Sequence, residues 1–319
     1  MAVLVTGAGA IGMETAKRLA ESGRDVVVAD VRPVDPGEKR PERISFALCD
    51  VLDREALDRL VVAHEVDGIV HTAALLSTAI RLDPPRGVLV NTVGTANVLE
   101  VARLRRLRRV VVASSTTVGY TAFDTHDARP FEEDFALRIV SQRPASIYAA
   151  TKIAAEHLSL VYHDLYGVDV LVLRYGAVLS AGAGLATSVP GRLLATLLAA
   201  GKAGREAVID DPFLIWDGKE EFVDMRDCAT ANVAALDAPR PALRVYNVAT
   251  GGWHSFDQFC DAVRALYPDL HVRLNVPLKG GFAGFPHLRP APSEIRLAAD
   301  ELGFRAKYSL HDTIRDFAQ

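Results

Sequence analysis

Tyr148 and Lys152 stand four residues apart in the stretch Ser146-Ile147-Tyr148-Ala149-Ala150-Thr151-Lys152. The run on to Leu158 reads as a helix, and residues four apart share one helix face. A free phenol, with a pKa of about 10, is a poor base at neutral pH. An ammonium a few ångströms away favours the phenolate and lowers that pKa. A tyrosine tuned this way can take the proton of an alcohol or return it to a carbonyl oxygen. Alone, the spacing describes an ordinary i,i+4 pair on an amphipathic helix. Its meaning depends on what the preceding segments bring to it.

Val3-Leu4-Val5 is a continuous apolar run, the pattern of a strand buried on both faces of a parallel sheet. Thr6-Gly7-Ala8-Gly9-Ala10-Ile11-Gly12 follows, then a helical pattern from Met13 to Ser22. G-x-G-x-x-G between a strand and a helix allows a pyrophosphate to approach the backbone N–H groups of the helix N-terminus. Asp30 closes the second strand, where a carboxylate accepts from both adenosine ribose hydroxyls and repels a 2′-phosphate, so NAD is preferred to NADP. Arg32 is the nearby residue that could welcome that phosphate.

A third strand at 45–49 ends in Asp50-Val51; Asp50 is placed either to accept from the adenine amino group or to cap the helix 54–64. His71, in the fourth strand, reads as a buried, hydrogen-bonded residue. Residues 75–86, with Asp83-Pro84-Pro85, read as a loop; it and the segments 180–220 and 275–292 are expected to line the substrate site, though none carries a decodable signature. A single helix is expected over 88–104, with Asn91 at its opening. The arginines at 103, 105, 106, 108 and 109 read as a solvated helix end. The fifth strand, 110–113, delivers Ser114-Ser115-Thr116-Thr117 to the strand ends where open parallel sheets bind ligands. One of these hydroxyls can hold a reacting oxygen beside Tyr148. Glu132-Glu133-Asp134 reads as a solvated loop. After a sixth strand at 168–174 the strand-helix alternation breaks down, which marks a substrate lobe.

The 319 residues suffice for one large α/β domain with a satellite lobe. Residues 1–176 plus 222–249 form the expected dinucleotide-binding domain, and 177–221 plus 250–319 the substrate lobe. A net charge of −4 gives no reason to expect nucleic acid or an anionic membrane as partner. Three dispersed cysteines suit a reducing cytosol, and nine histidines without ligand spacing predict no metal. No apolar run is long enough to span a bilayer.

With these pieces in order, the chain resembles the extended short-chain dehydrogenase/reductase family, the NAD-dependent sugar epimerases and dehydratases. The carriers are V-T-G-A-G-A-I-G at 5–12, H-T-A-A at 71–74, N-T-V-G-T-A-N at 91–97, A-S-S-T-T-V-G-Y at 113–120, Y-A-A-T-K at 148–152, L-R-Y at 173–175 and E-F-V-D-M-R-D at 221–227. The resemblance implies a doubly wound α/β Rossmann fold with a C-terminal lobe closing over a small-molecule substrate. It makes Tyr148 the acid/base, Lys152 its tuning residue and nicotinamide-ribose ligand, and Ser115 the catalytic hydroxyl. It places Gly7, Gly9, Ala10, Ile11, Gly12, Asp30, Asp50, Val51, Ala73, Ala74, Asn91, Tyr175 and Val178 against the cofactor. It places Thr116, Ala177 and Arg192, with Ser115 and Tyr148, against the substrate. It also implies a homodimer through the 88–104 and 148–166 helices.

Four departures narrow the reaction. The glycine turn is one residue shorter than the family's T-G-x-x-G-x-x-G. Thr116-Thr117 stand where sugar dehydratases carry Asp-Glu, which argues against dehydration. Ala177 replaces an Asn, and Glu220 an Arg, that hold a nucleotide-sugar diphosphate; Arg192 or Arg289 are the candidate substitutes. The expectation is a dehydrogenase or reductase of a small polyol, sugar or sugar acid. The alternatives are an epimerase with tightly bound NAD and, from another class, a non-catalytic NAD-sensing scaffold.

Overall fold

The computed structural model describes residues 2–33, 42–127, 129–136, 141, 146–182 and 187–318. The strands are β1 (Ala2–Thr6), β2 (Val26–Asp30), β3 (Ile44–Leu48), β4 (Val66–His71), β5 (Arg109–Ser115), β6 (Val170–Tyr175), β7 (Ala177–Leu179), β8 (Ala207–Ile209), β9 (Phe222–Asp224), β10 (Val245–Val248) and β11 (Val272–Leu274). A seven-stranded sheet runs β10–β6–β5–β4–β1–β2–β3, with every neighbouring pair parallel. The order reverses between β1 and β4, where Thr6 pairs His71. This switch point opens the crevice that receives ligands in such sheets.

The two faces of β1 show why its sequence is uninterrupted. Val3 and Val5 pack with Ala16 and Leu19 on one side, while Leu4 packs with Leu57, Val61 and Leu99 on the other. A third core forms around Trp216, Phe222, Phe256, Phe259 and Phe282 and takes in Tyr120, Phe123 and Phe131. Within the segment assigned by sequence to the lobe, Ala298, Leu302 and Phe304 pack instead on the main sheet.

The helices are α1 (Ala10–Glu21), α2 (Arg54–Ala63), α3 (Ser77–Leu82), α4 (Pro84–Val88), α5 (Gly94–Arg105), α6 (Ile147–Tyr166), α7 (Val189–Lys202), α8 (Met225–Asp237), α9 (Phe256–Arg264), α10 (Arg296–Leu302) and α11 (Leu310–Phe317). The expected loop at 75–86 is largely α3 and α4. Asp83 caps α4 by accepting from the Arg86 N–H, and Pro84 sits at the first helical position, where its missing N–H costs nothing. The expected single helix over 88–104 is α4 and α5 joined by a π-helical turn, Leu89–Val93, which contains Asn91.

Two surface readings fail because partners lie far off in sequence. Arg109 opens β5 rather than ending a helix; it is buried, paired with Asp169 at 2.7 Å, and donates to the Ala235 carbonyl. Arg103, Arg105 and Arg106 do end α5 at the surface as expected, with Arg105 paired to Asp58, and the exposed Arg108 pairs with Asp67. Glu133, expected in solvent, is buried: its carboxylate accepts from the Asn247 N–H, and its carbonyl accepts from Arg174.

Candidate active site

Helix α6 begins at Ser146, whose hydroxyl accepts from the Ala149 N–H, and ends at Gly167, whose φ of 68° suits a residue without Cβ. These caps fix where Tyr148 and Lys152 emerge. β5 and α6 lie side by side, so the end of β5 meets the first turn of α6. The Lys152 Nζ donates to the Ala113 carbonyl at 2.7 Å. Ser115 caps the turn that follows β5 by accepting from the Thr117 N–H, and it hydrogen-bonds Tyr148. Ser115, Tyr148 and Lys152 line one cavity of about 250 Å³.

Burial governs the electrostatics. It pushes the Tyr148 phenol up to about 12, against the opposing hydrogen bond from Ser115. It pushes Lys152 down to about 8. The expected lowering of the Tyr148 pKa by Lys152 is therefore not expressed: the ammonium is 5.8 Å from the ring centre and bonded to Ala113 instead. His71 is buried between Thr6 and Thr95, as expected. Desolvation, with Lys152 nearby, drops it to about 3, so it stays neutral.

Asn91 does not line the cavity. Its amide donates to the Leu75 carbonyl and Thr151 and accepts from the Leu75 N–H, tying the exit of β4 to α6. Tyr175 does line it, with its hydroxyl donating to Asn232 at 2.6 Å. Ala74, Ala177 and Val178 line it as well. Thr116 is buried outside it. Arg192, on α7, pairs with Asp211 at 2.7 Å rather than lining it. Arg289, 1% exposed, is held between Glu220 and Glu221.

Ser77 and Thr78, from the segment 75–86, and Phe282, Ala283 and Phe285, from 275–292, line the cavity as expected of those segments, although the sequence singled out none of them individually; Thr117 lines it as well. Thr117 stood two residues from Ser115 and was legible as a hydroxyl at the strand end. Ser77 and Thr78 open α3, and Phe282, Ala283 and Phe285 sit in and just after a short turn without periodicity.

The residues around the switch point fit a dinucleotide. A Cβ on Gly7 (φ 93°) would lie 2.8 Å from the Ala73 backbone, and one on Gly12 would lie 1.9 Å from the Gly7 carbonyl. One on Gly9 would meet nothing, so open space lies over the first turn of α1. Gly9 is the cap of that helix and offers no side chain to its free N–H groups, which leaves them for an anion. At the end of β2, Asp30 accepts from the N–H groups of Ala8 and Arg32 and from the Arg32 side chain. Burial pushes Asp30 up, but these bonds together outweigh it and hold the carboxyl below its usual range. Arg32 is engaged by this carboxylate. Asp50 accepts from the Leu52 N–H and lies 3.4 Å from Arg86, while Val51 is buried against Gly94. Among the described residues, no cluster that could hold a metal ion occurs, and no helix is long and apolar enough to cross a membrane.

This fold and site define an NAD-dependent enzyme of the epimerase and dehydrogenase type. Residues 3–249 match the model of the NAD dependent epimerase/dehydratase family, and the chain belongs to that family. It is 31% identical over 286 residues to the mitochondrial L-threonine 3-dehydrogenase of Bos taurus, covering 86% of this chain and 70% of that one. It superposes with a TM-score of 0.83 on the holo form of an L-threonine dehydrogenase from Cupriavidus necator, at 25% identity, covering 100% of this chain and 99% of that one. The UDP-glucose 4-epimerase of Thermus thermophilus in complex with NAD matches at 27% identity and a TM-score of 0.77, covering 100% of this chain and 98% of that one.

Proposed function

We propose that the protein is an NAD-dependent dehydrogenase that interconverts a secondary alcohol and its ketone in a small polyol, sugar, sugar acid or hydroxy acid. The observation that carries this reading is the burial of Glu220. This residue stands where the family's diphosphate-holding Arg is expected. Its carboxylate is 2% exposed, accepts from the Arg289 Nε at 2.6 Å and from the Tyr120 hydroxyl at 2.6 Å. The position therefore offers a nucleotide diphosphate no cation, and Arg289, buried as well, is already bound to carboxylates. L-threonine, named for two of the relatives, is itself a small secondary alcohol.

In this reading Tyr148 Oη exchanges the proton of the reacting hydroxyl, and Ser115 Oγ holds the same oxygen. The Lys152 ammonium, anchored on Ala113, stays on the cavity wall, where it would hold the nicotinamide ribose. Gly7, Gly9, Ala10, Ile11 and Gly12 would hold the pyrophosphate, Asp30 the adenosine ribose, and Tyr175 and Val178 the nicotinamide end. NAD, when bound, supplies the hydride acceptor. Ala177 and Thr117 bound the substrate space, and Ser77 and Thr78 line it from α3.

The exposed apolar residues Leu89, Val93, Val161, Leu165 and Tyr166 lie along α4–α5 and α6, which supports a homodimer through these helices. The three cysteines are free and buried, which supports a reducing compartment such as the cytosol. The test is absorbance at 340 nm with NAD and a panel of polyols, sugars, sugar acids and β-hydroxy acids. NADH formation with a panel member is the expected result. Tightly bound NAD, no net signal and interconversion of two sugar isomers would replace this reading with the epimerase.

A further inference from the structure

The cavity beside Tyr148 has walls from two places. One is the start of α3, with Ser77 and Thr78; the other is the turn Phe282–Gly284, with Phe282 and Ala283. A single side chain joins them. Arg81, one turn further along α3, donates from Nη2 to the Ala283 carbonyl at 3.2 Å. Its guanidinium also lies 3.5 Å over the ring of Phe213. The same ring meets Gly284, where an added Cβ would come within 2.4 Å of it. Arg81, Phe213 and Gly284 thus meet at the junction.

The turn that Arg81 grips is strained. Ala283 has a φ of 57°, in the left-handed region that disfavours a residue with a Cβ. Residues held there persist when their surroundings over-determine them, and such strain collects at ligand clamps. The turn closes on itself through the Gly281 N–H to the Phe285 carbonyl at 2.7 Å, and Arg81 supplies the bond from the opposite wall. Among the described residues, no carboxylate lies within salt-bridge distance of Arg81; Asp211, whose charge acts on it, pairs with Arg192. It spends its guanidinium on a carbonyl and a ring.

We propose that Arg81 is a positioning residue, a clasp that holds the Phe282–Gly284 turn against α3 and so sets the closed shape of the substrate cavity. Substrate binding depends on the clasp; the proton and hydride steps at Tyr148 do not. The inference deepens the dehydrogenase reading and rests on it for its kinetic arm only.

The test compares the full-length wild type with Arg81→Ala and Arg81→Lys, each saturated with NAD. Hydrogen–deuterium exchange reads the clasp without turnover. Exchange across 280–286 is expected to rise at least about tenfold in Arg81→Ala, with α6 unchanged. On the panel substrate that the wild type oxidises, KM is expected to rise about tenfold, equivalent to about 1.4 kcal/mol, with kcat within about threefold. Arg81→Lys keeps a cation and a donor and is expected to fall between the two. Unchanged exchange at 280–286 overturns the clasp, as does a loss confined to kcat. If Arg81→Ala does not fold, wild-type exchange and KM in Arg81→Lys overturn it equally. If the wild type oxidises nothing in the panel, the dehydrogenase reading fails while the exchange arm still decides the clasp.

Discussion

The Lys152 ammonium donates to the Ala113 carbonyl at 2.7 Å while standing 5.8 Å from the centre of the Tyr148 ring. The lysine is thereby fixed by the strand that also carries Ser115, so one backbone segment places both the ammonium and the hydroxyl. Tyr148 remains a neutral phenol, pushed up to about 12 by burial. It is ready as a proton donor, and it becomes a base only under added positive potential.

Tyr148→Phe removes the hydroxyl and keeps the ring. Turnover is expected to fall by about 10²–10⁴-fold, the usual worth of a positioned acid/base. NAD affinity, read by fluorescence titration, is expected to stay within a few-fold. Unchanged turnover would remove Tyr148 from the mechanism.

Burial holds Lys152 at about 8, below its unfolded value near 10.5. Between these values the unfolded chain binds more protons than the folded one, so stability rises with pH across that window. The destabilisation is fully present below pH 8 and is relieved toward 10.5. Tyr148 acts oppositely but only from pH 10 upward, because its folded value is the raised one. The difference in denaturation midpoint between wild type and Lys152→Met should therefore shift in favour of the wild type as pH rises from 8 to 10. A constant difference would show that Lys152 is not desolvated.

Much of this was legible in the chain, and the rest was hidden for identifiable reasons. β1, the glycine turn, Asp30 and the start of α6 each carry a local pattern whose cause lies within a few residues, and each is found where the sequence puts it. Glu133 and Arg109 were read as solvated because a charge in a polar stretch is usually so. Their partners, Asn247 and Asp169, lie 114 and 60 residues away. Asp83-Pro84-Pro85 was read as a breaker, although proline at the first helical position starts a helix as readily as it stops one. The cavity wall at Phe282–Phe285 belongs to a Gly- and Pro-rich run with no period to read.

Glu220, Glu221 and Arg289 are all nearly inaccessible, so two carboxylates share one guanidinium. Arg289→Met leaves both without a counter-charge and is expected to cost about 3–5 kcal/mol at pH 7. Burial already raises Glu220. A raised carboxyl adds stability below its unfolded value and loses it as pH rises, so the deficit of Arg289→Met should shrink toward pH 4.5. Glu220→Gln leaves the Glu221–Arg289 pair balanced and should be the milder change. Urea denaturation of both variants against pH distinguishes them; an equal loss for both would mean the charges are not what matters.

Asp30 holds Arg32 through both its backbone and its side chain. Asp30→Asn removes the negative charge that a 2′-phosphate would meet and frees the guanidinium to face it. The ratio of kcat/KM for NAD over NADP is expected to fall at least about tenfold, on the order of one lost charge contact. An unchanged ratio would place the adenosine ribose elsewhere.

Leu89 and Leu165 are 46% and 69% exposed on the two helices proposed to pair between protomers. Burying such residues in a dimer removes apolar surface from water at about 25 cal/mol per Å². A glutamate at either place would instead bring a charge into the apolar centre of the interface. Leu165 lies near the C-terminal end of α6, more than three turns beyond Tyr148, so Leu165→Glu acts on association without touching the site. Sedimentation of the wild type at about 10 μM is expected to give a dimer, and Leu89→Glu/Leu165→Glu a monomer, given that stable interfaces bury at least about 1,200 Å². A wild-type monomer at that concentration would leave the apolar stripe to another partner.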